Sequence, residues 1–416
     1  MTSAGVLEST TGSARRRRGP RRILAALVVL VVLLAVLLGA GGWYYAGQID
    51  SEALAAVQQT SGPTYDLVVT ALAGGQVTIR RSGAATAPDP LHTSDVYGLV
   101  WPGGAGVLTG DRVEAGGGEV RRALQITSGT SPTAGTRAAL DVDVWSDPQA
   151  AYGVPFENVS YSCAGGACPA WYLPGRSSTW MVLVHGKGAA RTEPLRALGP
   201  ALEAGLPALV IGYRNDPGAP ADPSGRYGYG ATEWHDLEQA VGYAVGHGAQ
   251  HVVLFGSSMG GAIVASFLEH SQQASLVSGV VLDSPALDLR TTVDYGASQR
   301  TLPVIGTGIP DVLTDTAEWI TGWRYGLDWG AVDYVPGTWL HVPALLFHGT
   351  ADDTVPITTS DRLHAAHPDL VEEVRMTGAT HVESWNRNPA EYTARESAFL
   401  GCVVPPGQRE SCSTGN

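Results

Sequence analysis

Three kinds of hydrophobic spacing follow one another along the chain. Residues 23–38 are all apolar, and the uncharged stretch runs on to residue 49. That exceeds the about 20 apolar residues needed to cross a bilayer. A short membrane-proximal helix is then expected over residues 49–59. Over residues 60–150, short β-branched and aromatic runs (65–70, 76–80, 97–101 and 139–145) alternate with glycine-rich turns and predict a small β-rich module. From about residue 155 the pattern changes again. A hairpin over 156–161 and 169–174 precedes apolar strands at 180–184, 208–213, 251–255 and 277–283, with helices expected at 191–204, 232–246 and 262–270. Continuous apolar strands alternating with helices argue a mostly parallel sheet covered on both faces. Between residues 285 and 341 the alternation stops, as expected of a helical lid inserted into the sheet domain.

The expected organisation is therefore a basic N-terminus (1–22), a transmembrane helix (23–46), a membrane-proximal helix with the β-rich module (47–150), and an α/β domain (151–416) carrying the lid at 285–341.

One motif carries chemistry. The strand ending at Phe255 runs into Gly256-Ser257-Ser258-Met259-Gly260, with a small-residue helix after it. A G-x-S-x-G turn between strand and helix lifts one hydroxyl above the sheet edge, and the register selects Ser258, with Ser257 at the variable position. A serine needs a base and an orienting carboxylate to act as a nucleophile. Downstream lie an acidic loop, His348-Gly349-Thr350-Ala351-Asp352-Asp353-Thr354-Val355-Pro356, and then His381 on a glycine-containing loop.

Together with His185-Gly186, these motifs resemble those of the α/β-hydrolases, over roughly the last 260 residues, and particularly exported or single-pass actinobacterial members. The resemblance implies an α/β-hydrolase fold and hydrolysis through an acyl-enzyme. It gives the acid role to Asp352, with Asp353 a solvated or capping carboxylate and Asp283 the rival acid, better read as closing a loop. It places the oxyanion hole at the backbone N–H groups of Met259 and Lys187. Esterase or acyl hydrolase action is expected first. A peptidase is the alternative, because the acid loop also resembles that of prolyl-oligopeptidase-type enzymes. A non-catalytic envelope-binding protein is the alternative outside enzymology. The expected partner is a small-molecule or lipid-like ester.

Charge and cysteines change the picture in one respect, location. The chain carries −13 overall, but its first 42 residues hold six arginines and one acid, leaving 20 basic and 38 acidic residues beyond them. Arginines before the apolar run orient the N-terminus to the cytoplasm, and Trp43, Tyr44 and Tyr45 fall where an interfacial belt would sit. A single-pass membrane protein with an extracytoplasmic catalytic domain is expected, with secretion after cleavage near Gly42 as the alternative. The acidic remainder is repelled by nucleic acid. Two local disulfides, Cys163–Cys168 and Cys402–Cys412, suit an oxidising compartment. No metal-ligand spacing or phosphate-binding loop is present, and no cofactor is expected. Lys187 is the only lysine. Its ammonium is expected either at the site mouth, attracting an anionic group, or simply in solvent. Within the lid, Val312, Trp319, Ile320 and Trp323 fall on one helical face. The lid holds four tryptophans (Trp319, Trp323, Trp329 and Trp339), expected either to shape an apolar pocket or to fasten the lid to the core, with Trp385 open to the same two readings.

Overall fold

The computed structural model describes residues 19–57, 62–83, 89–300, 306 and 308–404. The arginine group 15–18 and Cys412 lie outside these residues. Helix α1 (Gly19–Ile49) is the apolar run of the sequence, and from Ile23 to Leu37 its large side chains are exposed all round. The helix is apolar on every side and, among the described residues, uncovered over this stretch, as either a membrane anchor or a signal sequence would be. The separate helix expected over 49–59 is not seen among the described residues. Instead α1 passes into one π-helical turn (Asp50–Leu54), and Ala55 is already extended, bridged to Arg226. Leu54 is buried and its carbonyl accepts the Tyr227 N–H, so the chain is captured by the α/β domain as soon as the helix ends.

The β-rich module is a closed antiparallel barrel of β1 (Leu67–Ala73), β2 (Gln76–Arg81), β3 (Tyr97–Trp101), β4 (Gly104–Gly116), β5 (Glu119–Gly129) and β6 (Arg137–Asp141), in the order β1-β2-β5-β4-β3-β6. Its interior is Leu67, Val69, Val77, Ile79, Leu99, Leu108 and Val120. Closure leaves no free strand edge, which lets so small a sheet persist beside its neighbours. Strands β4 and β5 are the longest of the six and were not expected. Glycines interrupt β4, the inward-facing Arg122 interrupts the apolar period of β5, and the outer halves of both strands are exposed.

After a short helix, α2 (Pro148–Tyr152), the large sheet follows. Its strands are β7 (Glu157–Cys163), β8 (Gly166–Leu173), β9 (Thr179–Val184), β10 (Ala208–Ile211), β11 (His251–Ser257), β12 (Val277–Asp283), β13 (Ala344–Gly349) and β14 (Val371–Met376). They lie in the order β14-β13-β12-β11-β9-β10-β8-β7. Pairing is parallel from β14 to β10 and antiparallel at β10–β8 and β8–β7. Cys163 and Cys168 are disulfide-bonded across the β7–β8 turn.

Strands β9 to β13 are buried on both faces, as continuous Val and Leu runs require. Helices α4 (Trp234–Gly246), α5 (Met259–His270) and α8 (Thr358–Ala366) cover one face. Helices α3 (Leu198–Glu203) and α10 (Pro389–Val403), the latter preceded by the single turn α9 (Ser384–Arg387), cover the other. The lid contributes α6 (Leu289–Ser298) and α7 (Asp311–Tyr325), and α7 packs against the end of α1.

Candidate active site

The turn between β11 and α5 is strained where the sequence says it should be. Ser258 has φ 50° and ψ −120°, a conformation rare outside glycine. The strain is held by the backbone: the Ser258 N–H donates to the Asp283 carbonyl at 2.9 Å, and the Ser258 carbonyl accepts from Gly261 and Ala286. Crowding explains the glycines. A Cβ on Gly260 would stand 2.4 Å from the Val184 carbonyl oxygen, and one on Gly256 2.6 Å from that of Gly260.

From this turn the Ser258 Oγ reaches His381 Nε2 at 2.9 Å, and His381 Nδ1 lies 2.8 Å from Asp352 Oδ2. With Nδ1–H donating to the carboxylate, Nε2 is left to accept the serine proton. The acid loop fixes Asp352 from the other side. The N–H groups of Thr354 and Val355 both donate to its Oδ1 at 2.9 Å, and His348 Nε2 lies 3.3 Å from its Oδ2. Burial alone would raise this carboxyl, but the hydrogen bonds from His348 and His381 outweigh it and hold Asp352 well below the usual carboxylate range. Burial lowers His381, yet the bond and charge of Asp352 prevail and raise it above its ordinary value, with Glu193 and Asp283 adding smaller pushes upward. His348 itself is buried between Ser360 Oγ (2.7 Å) and the Val355 carbonyl (3.0 Å). Asp353 is exposed. Asp283 is buried, accepts from Ser384 Oγ at 2.8 Å, and is pushed up by burial to about 6. It closes the loops beside the site, while Asp352 stands on the histidine.

The opposite wall is the loop after β9. His185 is fully buried, with Nδ1 2.8 Å from the Gly186 carbonyl and Nε2 2.8 Å from Asp216 Oδ2, its ring stacked on Tyr213. Burial opposes its charge, but Asp216 and the carbonyl raise it to about 9. Glu193 was not singled out by any motif. Its Oε1 accepts the Gly186 N–H at 2.7 Å and the Ser257 hydroxyl, tying this loop to the serine turn. Lys187 and Ser258 border one cavity. Met259 opens α5, where a helix has no partner of its own for its N–H. The Lys187 ammonium borders the cavity, where it donates to the Glu52 carbonyl at 2.6 Å and is lowered by burial, so it also fastens the segment after α1.

The cavity measures about 430 Å³. Tyr45, Gln48 and Ile49 line it from the end of α1, Glu52 from the turn after it, Leu289 and Val293 from α6, Thr314 and Ala317 from α7, and Tyr229 from the loop after β10. The lid tryptophans stand elsewhere. Trp329 and Trp339 donate to the carbonyls of Glu318 (3.1 Å) and Tyr334 (2.7 Å), while Trp319 and Trp323 are exposed. Of the two roles considered for these rings, shaping the pocket is overturned: their indoles reach carbonyls or solvent instead. Trp385 packs on Trp145 at 5.1 Å, joining the barrel side to the α/β domain. The barrel also reaches the loop after His381. Asn386 Nδ2 donates to the carbonyls of Val96 (2.7 Å) and Val142 (2.9 Å), and Tyr97 OH donates to Glu383 at 2.7 Å. Among the described residues no group of three or more His, Cys, Asp or Glu could hold a metal ion.

A family model described as serine aminopeptidase, S33, matches residues 232–326. Among solved structures, an esterase of Pyrococcus furiosus (Pf2001) is similar at 18% identity and TM-score 0.45, covering 62% of this chain and 95% of its own. The esterase RhEst1 of Rhodococcus sp. ECU1013 is similar at 17% and 0.41, covering 59% and 99%. A membrane phospholipase A described as a bacterial virulence factor is similar at 19% and 0.41, covering 60% and 86%. A comparison with curated proteins by sequence returns no match. The sheet order and the serine turn define an α/β-hydrolase fold, and the match to the serine aminopeptidase family lies within it, over residues 232–326.

Proposed function

We propose that the chain is a serine hydrolase that cleaves carboxylic esters through an acyl-enzyme on Ser258, held on the outer face of the cell membrane by α1. The observation that carries this reading is the chain of hydrogen bonds from Ser258 through His381 to Asp352, beside an apolar cavity. His381 removes the proton as Oγ attacks the ester carbonyl, and Asp352 stabilises the imidazolium. The N–H groups of Met259 and Lys187 receive the developing oxyanion. His381 then gives its proton to the departing alcohol. Water enters, loses a proton to His381, and releases the acid and the free serine. A disulfide at Cys163–Cys168 agrees with an exported domain.

A second reading is peptide hydrolysis by the same steps with an amine leaving, favoured by the description of the family matched over 232–326. Turnover of matched ester and amide substrates separates the two.

Labelling by a fluorophosphonate tests the site. Wild type should label, Ser258→Ala should not, and Asp352→Asn and His381→Ala should label far more slowly. Equal labelling of Ser258→Ala would move the nucleophile elsewhere.

A further inference from the structure

The membrane helix and the cavity share a wall, and that wall has an unexplained outer face. Counting from Ile23, 20 residues of helix rise about 30 Å, the thickness of the hydrocarbon, and so reach Gly42. At that level α7 meets α1. A Cβ on Gly42 would stand 2.6 Å from Thr316 Cγ2, and one on Gly41 2.9 Å from Leu313 Cδ1, so α7 sits flush on the two glycines. Its height is therefore the membrane surface, beside Trp43 and Tyr44.

On the neighbouring stripe of α7, Val312, Trp319 and Trp323 recur at intervals of seven and four residues and point outward. They are 55%, 70% and 69% exposed. Two indoles so bare on one lid helix form an apolar patch that water disfavours and a headgroup region accepts. The patch continues directly onto the anchor: Trp323 lies 6.5 Å from Trp43, and the Arg324 guanidinium stacks 4.2 Å over the same Trp43 ring. Thr314 and Ala317, on other faces of α7, line the cavity that holds Ser258. One helix thus separates the cavity from whatever covers the tryptophans.

We propose that α7 is seated in the outer-leaflet interface of the bilayer that α1 spans, with Val312, Trp319 and Trp323 among the headgroups, and that the Ser258 cavity takes its acyl ester from that leaflet. The strongly acidic exported part suits a neutral, zwitterionic surface rather than an anionic one. The substrate half of this inference rests on the serine-hydrolase reading; the seating of α7 does not.

The test uses the full chain in phosphatidylcholine vesicles. Lipids brominated along the acyl chain should quench tryptophan emission in wild type, and the quenched part should shrink in Trp319→Ala/Trp323→Ala. Neither residue touches the cavity, so that variant should keep its fluorophosphonate labelling and its turnover of water-soluble p-nitrophenyl butyrate. Its turnover of p-nitrophenyl palmitate dissolved in the vesicles should fall about tenfold, the loss expected when about 1.4 kcal/mol of interfacial contact goes. Quenching unchanged by the double substitution would overturn the seating. Equal losses on both esters would overturn the leaflet source and make the tryptophans merely structural. A wild type inert to butyrate and to the phosphonate would overturn the hydrolase reading and the substrate half with it, leaving the quenching result to judge the seating alone.

Discussion

Two histidine–aspartate pairs flank the serine turn, and they are built to the same length for opposite purposes. His185–Asp216 and His381–Asp352 each close at 2.8 Å. His185 is wholly buried and both ring nitrogens face protein oxygens, which calls for two N–H donors and hence the charged ring. The side chain of His381 is 21% exposed, and one nitrogen faces a hydroxyl. The first ring has no proton left to accept; the second has a free lone pair aimed at Ser258. On the proposed function a His–Asp pair therefore becomes a base or a strut according to what faces its outer nitrogen.

The sharpest way to break this comparison is to neutralise each carboxylate. Asp352→Asn should lower kcat on a soluble ester about 10⁴-fold with little change in fold, because the amide favours the wrong tautomer. Asp216→Asn should act on stability instead. A buried imidazolium left half-compensated costs about 3–5 kcal/mol, read as a lower urea midpoint at an unchanged slope, while kcat of the folded fraction falls less than tenfold. If Asp216→Asn were the catalytically crippled variant and Asp352→Asn the unstable one, the two roles would have to be exchanged.

How far this was legible beforehand follows from where each signal resides. The serine turn, the acid loop and His381 are local motifs, and their spacing around apolar strands was enough to bring Ser258, Asp352 and His381 together. The strands β11 and β12 were placed to within two residues for the same reason. Glu193 and Asp216 carry no such mark. Both act through bonds that only folding creates, Glu193 to Gly186 and Ser257, and Asp216 to His185. The β4–β5 pair was invisible because glycines break the alternation of β4 and the inward Arg122 that of β5, and the membrane-proximal helix was misjudged because Leu54 is drawn into the domain core. Most instructive are Trp319 and Trp323. Helical periodicity put them on one face with Val312 but wrongly added Ile320, which is buried, and periodicity does not say whether an apolar face meets a core, a pocket or a bilayer.

Glu193 offers an intermediate effect. It ties the loop carrying Lys187 to the serine turn without touching Ser258 or His381, so on the proposed mechanism it is a positioning residue. Glu193→Ala should loosen that donor and lower kcat about 10- to 100-fold, less than losing the base, with KM nearly unchanged. Glu193→Gln keeps an acceptor for the Gly186 N–H and should recover most of the rate. A loss confined to KM would mean that Glu193 shapes the substrate pocket rather than the oxyanion side.

The smallest effects are those of pH, and they separate the two histidines without breaking either. On the proposed mechanism His381 must be neutral to accept the serine proton, and Asp352 raises it above its ordinary value near 6.5. The acid limb of kcat/KM should therefore have its midpoint above 6.5, and in Asp352→Asn the midpoint should move down, since burial is then opposed only by the smaller pushes of Glu193 and Asp283. His185 appears in stability instead. Its pKa is raised to about 9 in the folded chain, so the stabilisation by Asp216 is complete below about 6.5 and is lost as pH rises through about 9. Wild type should lose stability across that window while its activity is still on the plateau, and Asp216→Asn should show a flatter profile there. Parallel pH profiles for activity and stability would mean that one histidine governs both, and the division of labour between the two pairs would fail.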